Sequence, residues 1–334
     1  MKNLTLRQLR IFVSAARLSS FARAAVEMHL TAPAISMQMR DLEEDLGISL
    51  FAKQGRGISL TSAGEYFLVY ARRVLASLRE AEDMMGKLKG MKTGILLIGL
   101  VSTAKYVLPH LLAGFRQEHP GIQINIQVRN REQLVELLRN GEIDIAIMGK
   151  PPRAEPFADH PHAFIAAPNH PLVGKGSLRI DQLESEEILI REPGSGTRAV
   201  MEHFFETHRF RPLSTMEMST NETVKQAVMA QLGISLVSLF TVRLELEHSA
   251  LALLPIDDTP IMRSWYLVTR GSRPTSFAAE AFRYFILEQG SILLASLVPK
   301  HGIYSDKLAC KVKTLPQRRE SGEEKPTRAR KKNQ

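Results

Sequence analysis

Cysteine is nearly missing from this sequence: Cys310 is the single one in 334 residues. Disulfides within the chain and cysteine-rich zinc sites are therefore excluded. Long hydrophobic runs are missing too. The stretch GILLIGLV at 94–101 is strand-sized, whereas a membrane span needs about 18 apolar residues. The opening MKNLTLRQLRIF carries arginines inside its first apolar pattern and does not read as a cleavable leader. There is no Walker A motif, and no Gly-x-Gly-x-x-Gly opens a helix after a strand. Gly194, Ser195 and Gly196 are not spaced as a Gly-x-Ser-x-Gly elbow. His160 and His162 read as solvated loop residues beside prolines rather than as metal ligands. With no nucleophile and base at a recognisable spacing, neither catalysis nor a cofactor is expected. The expectation is a cytoplasmic protein with no membrane partner.

What is present bounds the answer further. The chain is long enough for about two domains, and 44% hydrophobic with 24% charged residues is a globular composition. The net charge of +9 is unevenly spread: residues 1–92 carry +5, residues 93–299 carry −3 and residues 300–334 carry +7. A basic front and a basic tail suggest nucleic-acid contact at the ends, and another task for the centre. Residues 299–334, rich in Lys, Arg, Glu and Pro, read as a disordered tail.

The first 60 residues read as three helices and a hairpin. Thr5 with Gln8 resembles a capping box, and Ser19 or Ser20 can cap a second helix, Phe21 to Met28. Thr31 can cap a third, with Pro33 tolerated in its first turn and Gly47 as its stop. Ile35, Met39, Leu42 and Leu46 form one buried stripe on that helix. Leu50-Phe51 and Ile58 to Leu60 flank a basic hairpin tip containing Arg56.

Burying that stripe leaves Ala32, Ser36, Met37 and Arg40 on or near the open face. A recognition helix needs small residues where its backbone enters the major groove, and polar groups beyond them. Thr31, Ala32, Pro33, Ala34 and Ser36 supply the first; Gln38 and Arg40 can supply the second. Lys53 and Arg56 would sit over flanking phosphates or in the minor groove. The alternative is a small three-helix packing domain in which Arg40 is merely solvated.

Ser62 with Glu65 opens a long fourth helix. Phe67, Val74, Ala81 and Leu88 occupy one heptad seam, and Ala71, Leu78 and Met85 the other. This pattern suggests pairing with another helix; the alternative is an amphipathic helix lying on its own domain.

From residue 93 the pattern becomes βαβαβ: 95–101, 122–128 and 143–148 are strands separated by helices, so a parallel sheet is expected. Later strands at 163–167, 187–192, 215–219, 234–238, 251–256 and 264–269 make two subdomains plausible. Three strand-to-helix junctions are ready for an anion. They are Ser102 with Thr103, then Gly194, Ser195, Gly196, Thr197 and Arg198, then Asn221 with Thr223. Each offers free N–H groups, hydroxyls and a positive helix end. Arg198 would add a fork for phosphate or carboxylate. The alternative at each junction is ordinary helix capping.

The pieces SSFARAA, TAPAIS with RDLEEDLG, LF before the hairpin and LTSAG after it resemble the winged helix-turn-helix of LysR-type transcriptional regulators over 60 residues. Many members carry glutamine where Ala32 stands, arginine where Met37 stands, and a wing arginine where Lys53 stands. DNA specificity therefore cannot be copied across. The resemblance includes Ser20 and Phe21 among the DNA-binding positions. Residues 93–290 resemble the effector-binding region of the same family, which is similar to periplasmic binding proteins. Within the family the chain most resembles regulators of RuBisCO (Calvin–Benson–Bassham) operons. HPGIQINIQVRNREQ, DIAIMGKPP, FADHPHAFIAAPNHPL, IREPGSGTRAVMEHFF and MEMSTNETVKQAVMAQLGISLVS carry that likeness, and it ends near residue 298.

The resemblance implies a winged helix-turn-helix head at 1–61, a dimerising linker helix at 62–92 and an α/β effector domain at 93–298. Lobe one would comprise 93–163 with 267–298, and lobe two 164–266. It also implies an activator working as a homodimer or homotetramer, with promoter DNA and RNA polymerase as partners. The effector would be an anionic metabolite, either a phosphorylated sugar or acid or NADPH. The rivals are a LysR-type regulator of another operon and an enzyme built on the same α/β fold.

Overall fold

The computed structural model describes residues 4–55, 57–88, 93–149, 154–270 and 276–298. The tail at 299–334 and Arg56 lie outside the described residues, as does the side chain of Leu88.

The head is built from α1 (Leu6–Leu18), α2 (Phe21–Glu27), α3 (Ala32–Leu46), β1 (Phe51–Gln54) and β2 (Gly57–Leu60). Its local chemistry sets the boundaries. Thr5 and Gln8 form the reciprocal capping box of α1, Ser20 caps α2 and Thr31 caps α3. Gly47 closes α3 at φ 68, a left-handed position that a glycine takes without strain. Ile35, Met39 and Leu42 are buried against Leu9, Ile11 and Phe12, while Leu46 is partly buried at the edge. Phe12 anchors this core, tilted on Phe51 at 5.3 Å and edge-on to Phe67 at 5.0 Å.

Helix α4 (Ser62–Leu88) follows. Its cap is Thr61, whose Oγ1 accepts from the Gly64 N–H at 3.0 Å, so the expected Ser62 cap is displaced by one residue. The first turns of α4 lie on the head: Phe67 and Ala71 belong to its core. These two residues of the heptad seam are covered by the chain's own α1. Farther along, Leu78 is half-buried, while Val74, Ala81 and Met85 are exposed.

The effector domain begins with β3 (Gly94–Leu100), a 3-10 turn at Ser102–Tyr106, α5 (Leu108–Glu118), β4 (Ile122–Val128), α6 (Arg131–Asn140) and β5 (Ile145–Met148). Then come β6 (Glu155–Ala166), β7 (Glu187–Arg191), α7 (Gly196–Thr207), β8 (Ser214–Met218), α8 (Asn221–Met229) and β9 (Ser235–Ser238). The last described elements are α9 (Arg243–Glu247), β10 (Ala252–Leu254), β11 (Ile261–Thr269) and α10 (Phe277–Ala295). β3 pairs in parallel with β4 and β5, which bears out the βαβαβ reading. β11 is antiparallel to β5 and to β6, and β6 also carries β9 and β10. The sheet is thus mixed rather than parallel.

Two cores flank the long β6–β11 pair. Leu96, Ile98, Phe115, Trp265 and Phe282 pack on one side. Phe164, Ile188, Phe204 and Leu236 pack on the other, with a further layer around Ile165, Val224 and Val237. β6 and β11 cross from one lobe to the other, so the crevice between the lobes opens over them. Among the described residues, no helix is long and apolar enough to cross a membrane.

Candidate functional site

On the head, α3 presents its open face as a row. Thr31, Pro33, Ser36, Met37 and Arg40 are exposed, while Ala32, Ala34 and Gln38 are half-buried. Lys53 is exposed on the hairpin. Ser20 and Phe21 serve the fold. The Ser20 hydroxyl accepts from the Arg23 N–H, and the Phe21 ring packs edge-on against Phe51 at 5.1 Å.

The second site is a cavity of about 450 Å³ between the lobes. Ser102 and Thr103 line it from lobe one, and Gly194, Ser195, Gly196, Thr197 and Asn221 from lobe two. Three junctions that are distant in sequence therefore meet in one place. Ser195 is the N-cap of α7 but makes no capping bond with its side chain, and Gly194 turns at φ 82. Thr197 is buried at the first turn of α7.

Two expected residues are not in this cavity. Arg198 is turned away: its Nε donates to Glu202 at 2.7 Å and its Nη1 to Glu217 at 2.6 Å. Consecutive helical residues point about 100° apart, so placing Thr197 inward carries Arg198 out. Thr223 pairs its hydroxyl with Thr220 at 2.8 Å on the exposed side of α8.

The cations of the cleft come from elsewhere. Lys105, Arg129, Arg131, Arg191 and Arg263 line it, against one carboxylate, Glu192. Arg191 is almost fully buried and is held by the protein itself. Its Nε and Nη2 donate to the two Glu192 oxygens at 2.7 and 2.8 Å, and its Nη1 donates to Asn221 Oδ1. Asn221 is 3% exposed, and its Nδ2 has no partner among the described residues. A buried amide donor without an acceptor is costly unless something supplies one.

His160 and His162 are corrections to the sequence reading. Both lie on β6 and are buried, not solvated in a loop. The prolines beside them imitate a loop signal, yet this stretch of β6 is paired with β11. His160 stacks on Trp265 at 3.8 Å and shares a hydrogen bond of 2.8 Å with Ser238. Burial pushes His160 well below the usual histidine range, with His162 and Arg263 adding to the effect. Burial also brings His162 down to about 4. Both rings are therefore neutral at pH 7 and do not compete for an anion. No group of three or more His, Cys, Asp or Glu suited to a metal occurs among the described residues.

Some of what the sequence reading missed carried a signal. Asn130 with Gln133 is a capping box that opens α6 directly after β4, a fourth junction of the same kind flanked by Arg129 and Arg131. Arg263 carried none, because a lone arginine within a strand says nothing about which face it occupies.

A helix-turn-helix head joined to a two-lobed α/β domain with a cationic cleft defines a ligand-responsive DNA-binding regulator. The LysR-family model of bacterial regulatory helix-turn-helix proteins matches residues 6–65, and the LysR substrate binding domain matches residues 89–291. The chain belongs to the LysR family of transcriptional regulators.

It is 45% identical to the HTH-type transcriptional regulator CfxR of Cupriavidus necator, over 86% of this chain and 92% of that one. It is also 45% identical to the RuBisCO operon transcriptional regulator of Allochromatium vinosum, over 86% of this chain and 97% of that one. Among solved structures it is similar to the CcmR regulatory domain of Synechocystis PCC6803 in complex with 2-PG. That likeness has a TM-score of 0.56 at 35% identity and covers 59% of this chain and 97% of the domain.

Proposed function

We propose that this chain regulates transcription of carbon-fixation genes, the RuBisCO operon among them, in response to an anionic metabolite bound between its lobes. The observation that carries the effector class is the charge of the cleft: five cations against one carboxylate, converging with three helix ends. The relative named as the RuBisCO operon transcriptional regulator supplies the pathway. The 2-PG complex of the CcmR domain supports a small phosphorylated acid as ligand; a phosphorylated sugar or NADPH fits the same charge.

In this reading Thr31 to Arg40 enter the major groove, with Lys53 and Arg56 on the phosphates. Leu78, Val74, Ala81 and Met85 of α4 meet the same helix of a second copy, giving a homodimer or homotetramer. The protein acts in the cytoplasm as a binding protein, not an enzyme, and contacts RNA polymerase at the promoter. Ligand binding changes the closure of the lobes and so the spacing of paired heads along DNA. It can do this only by its difference in affinity for the two arrangements.

The test is footprinting on the RuBisCO operon promoter with 2-PG, ribulose bisphosphate, phosphoglycerate and NADPH in separate arms. Protection whose boundaries move with one of them supports the reading. A promoter left unprotected at physiological salt removes the pathway assignment, and protection that no metabolite shifts removes the effector assignment.

A further inference from the structure

Strand β11 has an uncompensated charge at one end and a grip on the linker helix at the other. Arg263 lies opposite His160 in the β6–β11 register and lines the cleft. Among the described residues its guanidinium has no hydrogen-bond or ion-pair partner. That distinguishes it from Arg191 and Arg198, each already holding a carboxylate. Glu192 cannot serve Arg263 without leaving the two-pronged contact with Arg191. The neighbouring histidines are neutral and offer no negative charge. A half-buried fork of N–H donors without a counter-ion is what a phosphate or carboxylate group takes.

Seven residues on, roughly 20 Å along an extended strand, Arg270 donates to Glu80 of α4 at 2.6 Å. The partner strand repeats the arrangement. β5 is antiparallel to β11, with Thr269 opposite Ile145 and Tyr266 opposite Met148. Met148 lines the cleft. At the other end of β5, Asp144 accepts from Arg79 of α4 at 3.1 Å and from the Leu97 N–H at 2.8 Å. Arg79 also donates to the Gly141 carbonyl at 3.1 Å, and Arg72 pairs with Glu142 at 3.1 Å. Both strands therefore run from the cleft to the helix that carries the head.

We propose that β11 carries the effector's signal to the head: Arg263 takes an anionic group of the effector at the crossing of the lobes, and Arg270, with Asp144 beside it, passes the shift to α4. This rests on the reading of the cleft as an anion site. Filling the cleft neutralises Arg263, which lets the cationic walls approach about β6 and β11. The far end of β11 then moves against α4, or α4 with it. Coupling of this kind is reciprocal, so promoter DNA changes the affinity for the effector by the same factor as the effector changes the affinity for DNA.

The experiment uses the full-length chain, calorimetry with 2-PG in the presence and absence of promoter DNA, and footprinting. Arg263→Gln weakens 2-PG binding about tenfold or more, and Arg263→Lys by less, because it keeps the charge but loses the fork. Arg270→Gln binds 2-PG within about twofold of wild type, being remote from the cleft. Its footprint no longer responds, and DNA no longer alters its affinity for 2-PG. The exchange pair Glu80→Arg with Arg270→Glu restores the response, and so serves as the arm that separates coupling from damage to the fold. Wild-type affinity in Arg263→Gln, or a full footprint response in Arg270→Gln, overturns the inference while leaving the cleft assignment standing. If wild type binds none of 2-PG, ribulose bisphosphate, phosphoglycerate or NADPH, the cleft assignment falls and the inference with it.

Discussion

The head and the effector domain hold their binding groups in opposite ways. On α3 the groups proposed to face DNA are mostly small and neutral and are exposed or half-buried, with Arg40 as the charged member. The cleft is lined by charge at graded depth: Lys105, Arg129 and Arg131 are exposed at its rim, Arg263 is half-buried, and Arg191 is buried and locked to Glu192 and Asn221. The difference follows from the ligands. DNA brings its own dense charge and needs a surface that admits a helix to the groove. A small anion must be drawn from water into a cavity, where each charge acts through a lower dielectric.

Three changes test how separate the two regions are. The largest effect is expected from Phe12→Ala, which empties the aromatic centre of the head at a cost of about 3–5 kcal/mol. Domains of about 60 residues are marginal to begin with. Calorimetric scanning should show the head transition lost and the effector-domain transition in place, with DNA binding abolished. A single transition that shifts as a whole would mean that α4 fuses the two regions into one cooperative unit.

The second lies in the effector domain. His162 has an ordinary value of 6.5 and is held at about 4 in the folded state. Between those values the unfolded chain binds the extra proton. Stability is therefore full above pH 6.5 and falls as the pH drops towards 4, by about 3 kcal/mol. His160 acts in the same direction. The head has only His29, which is exposed. Acid unfolding followed by Trp265 fluorescence should precede loss of the head's helical signal, and His162→Gln should flatten the dependence. Simultaneous loss of both signals would erase the contrast.

The smallest is Arg40→Ala. It should weaken promoter binding by about 1–3 kcal/mol if the side chain reads a base edge, and leave the anion affinity of the cleft within error. A mobility-shift titration beside calorimetry checks both halves. Unchanged DNA affinity would return Arg40 to a merely solvated role.

How much of this was legible beforehand depended on distance along the chain. The three caps of the head, the stop at Gly47 and the Ile35–Leu42 stripe are each decided within four residues, and all are present as read. The displaced cap at Thr61 is an error of one residue in the same local code. The heptad seam of α4 was legible as apolar, but not what covers it: Phe67 and Ala71 went to the head because α1 lies there. In the cleft, the small and hydroxyl residues at strand ends were found, because such junctions announce themselves locally. Arg198 was not excluded: its i,i+4 partner Glu202 is local, but the second partner, Glu217, lies on β8 and is brought in by the tertiary fold.

By itself, then, the sequence determined the family, the order of elements and the faces of the helices, since periodicity and capping depend on near neighbours. Tertiary structure alone decided that Arg191 would be buried and Arg198 would not, that two prolines would sit within a strand, and that Arg263 would face the cavity. The first rests on Asn221 of α8 and Glu217 of β8 meeting those arginines, and the other two on the register of β6 against β11, residues far apart in the chain. A shift of one position would turn every side chain on β11 to the opposite face.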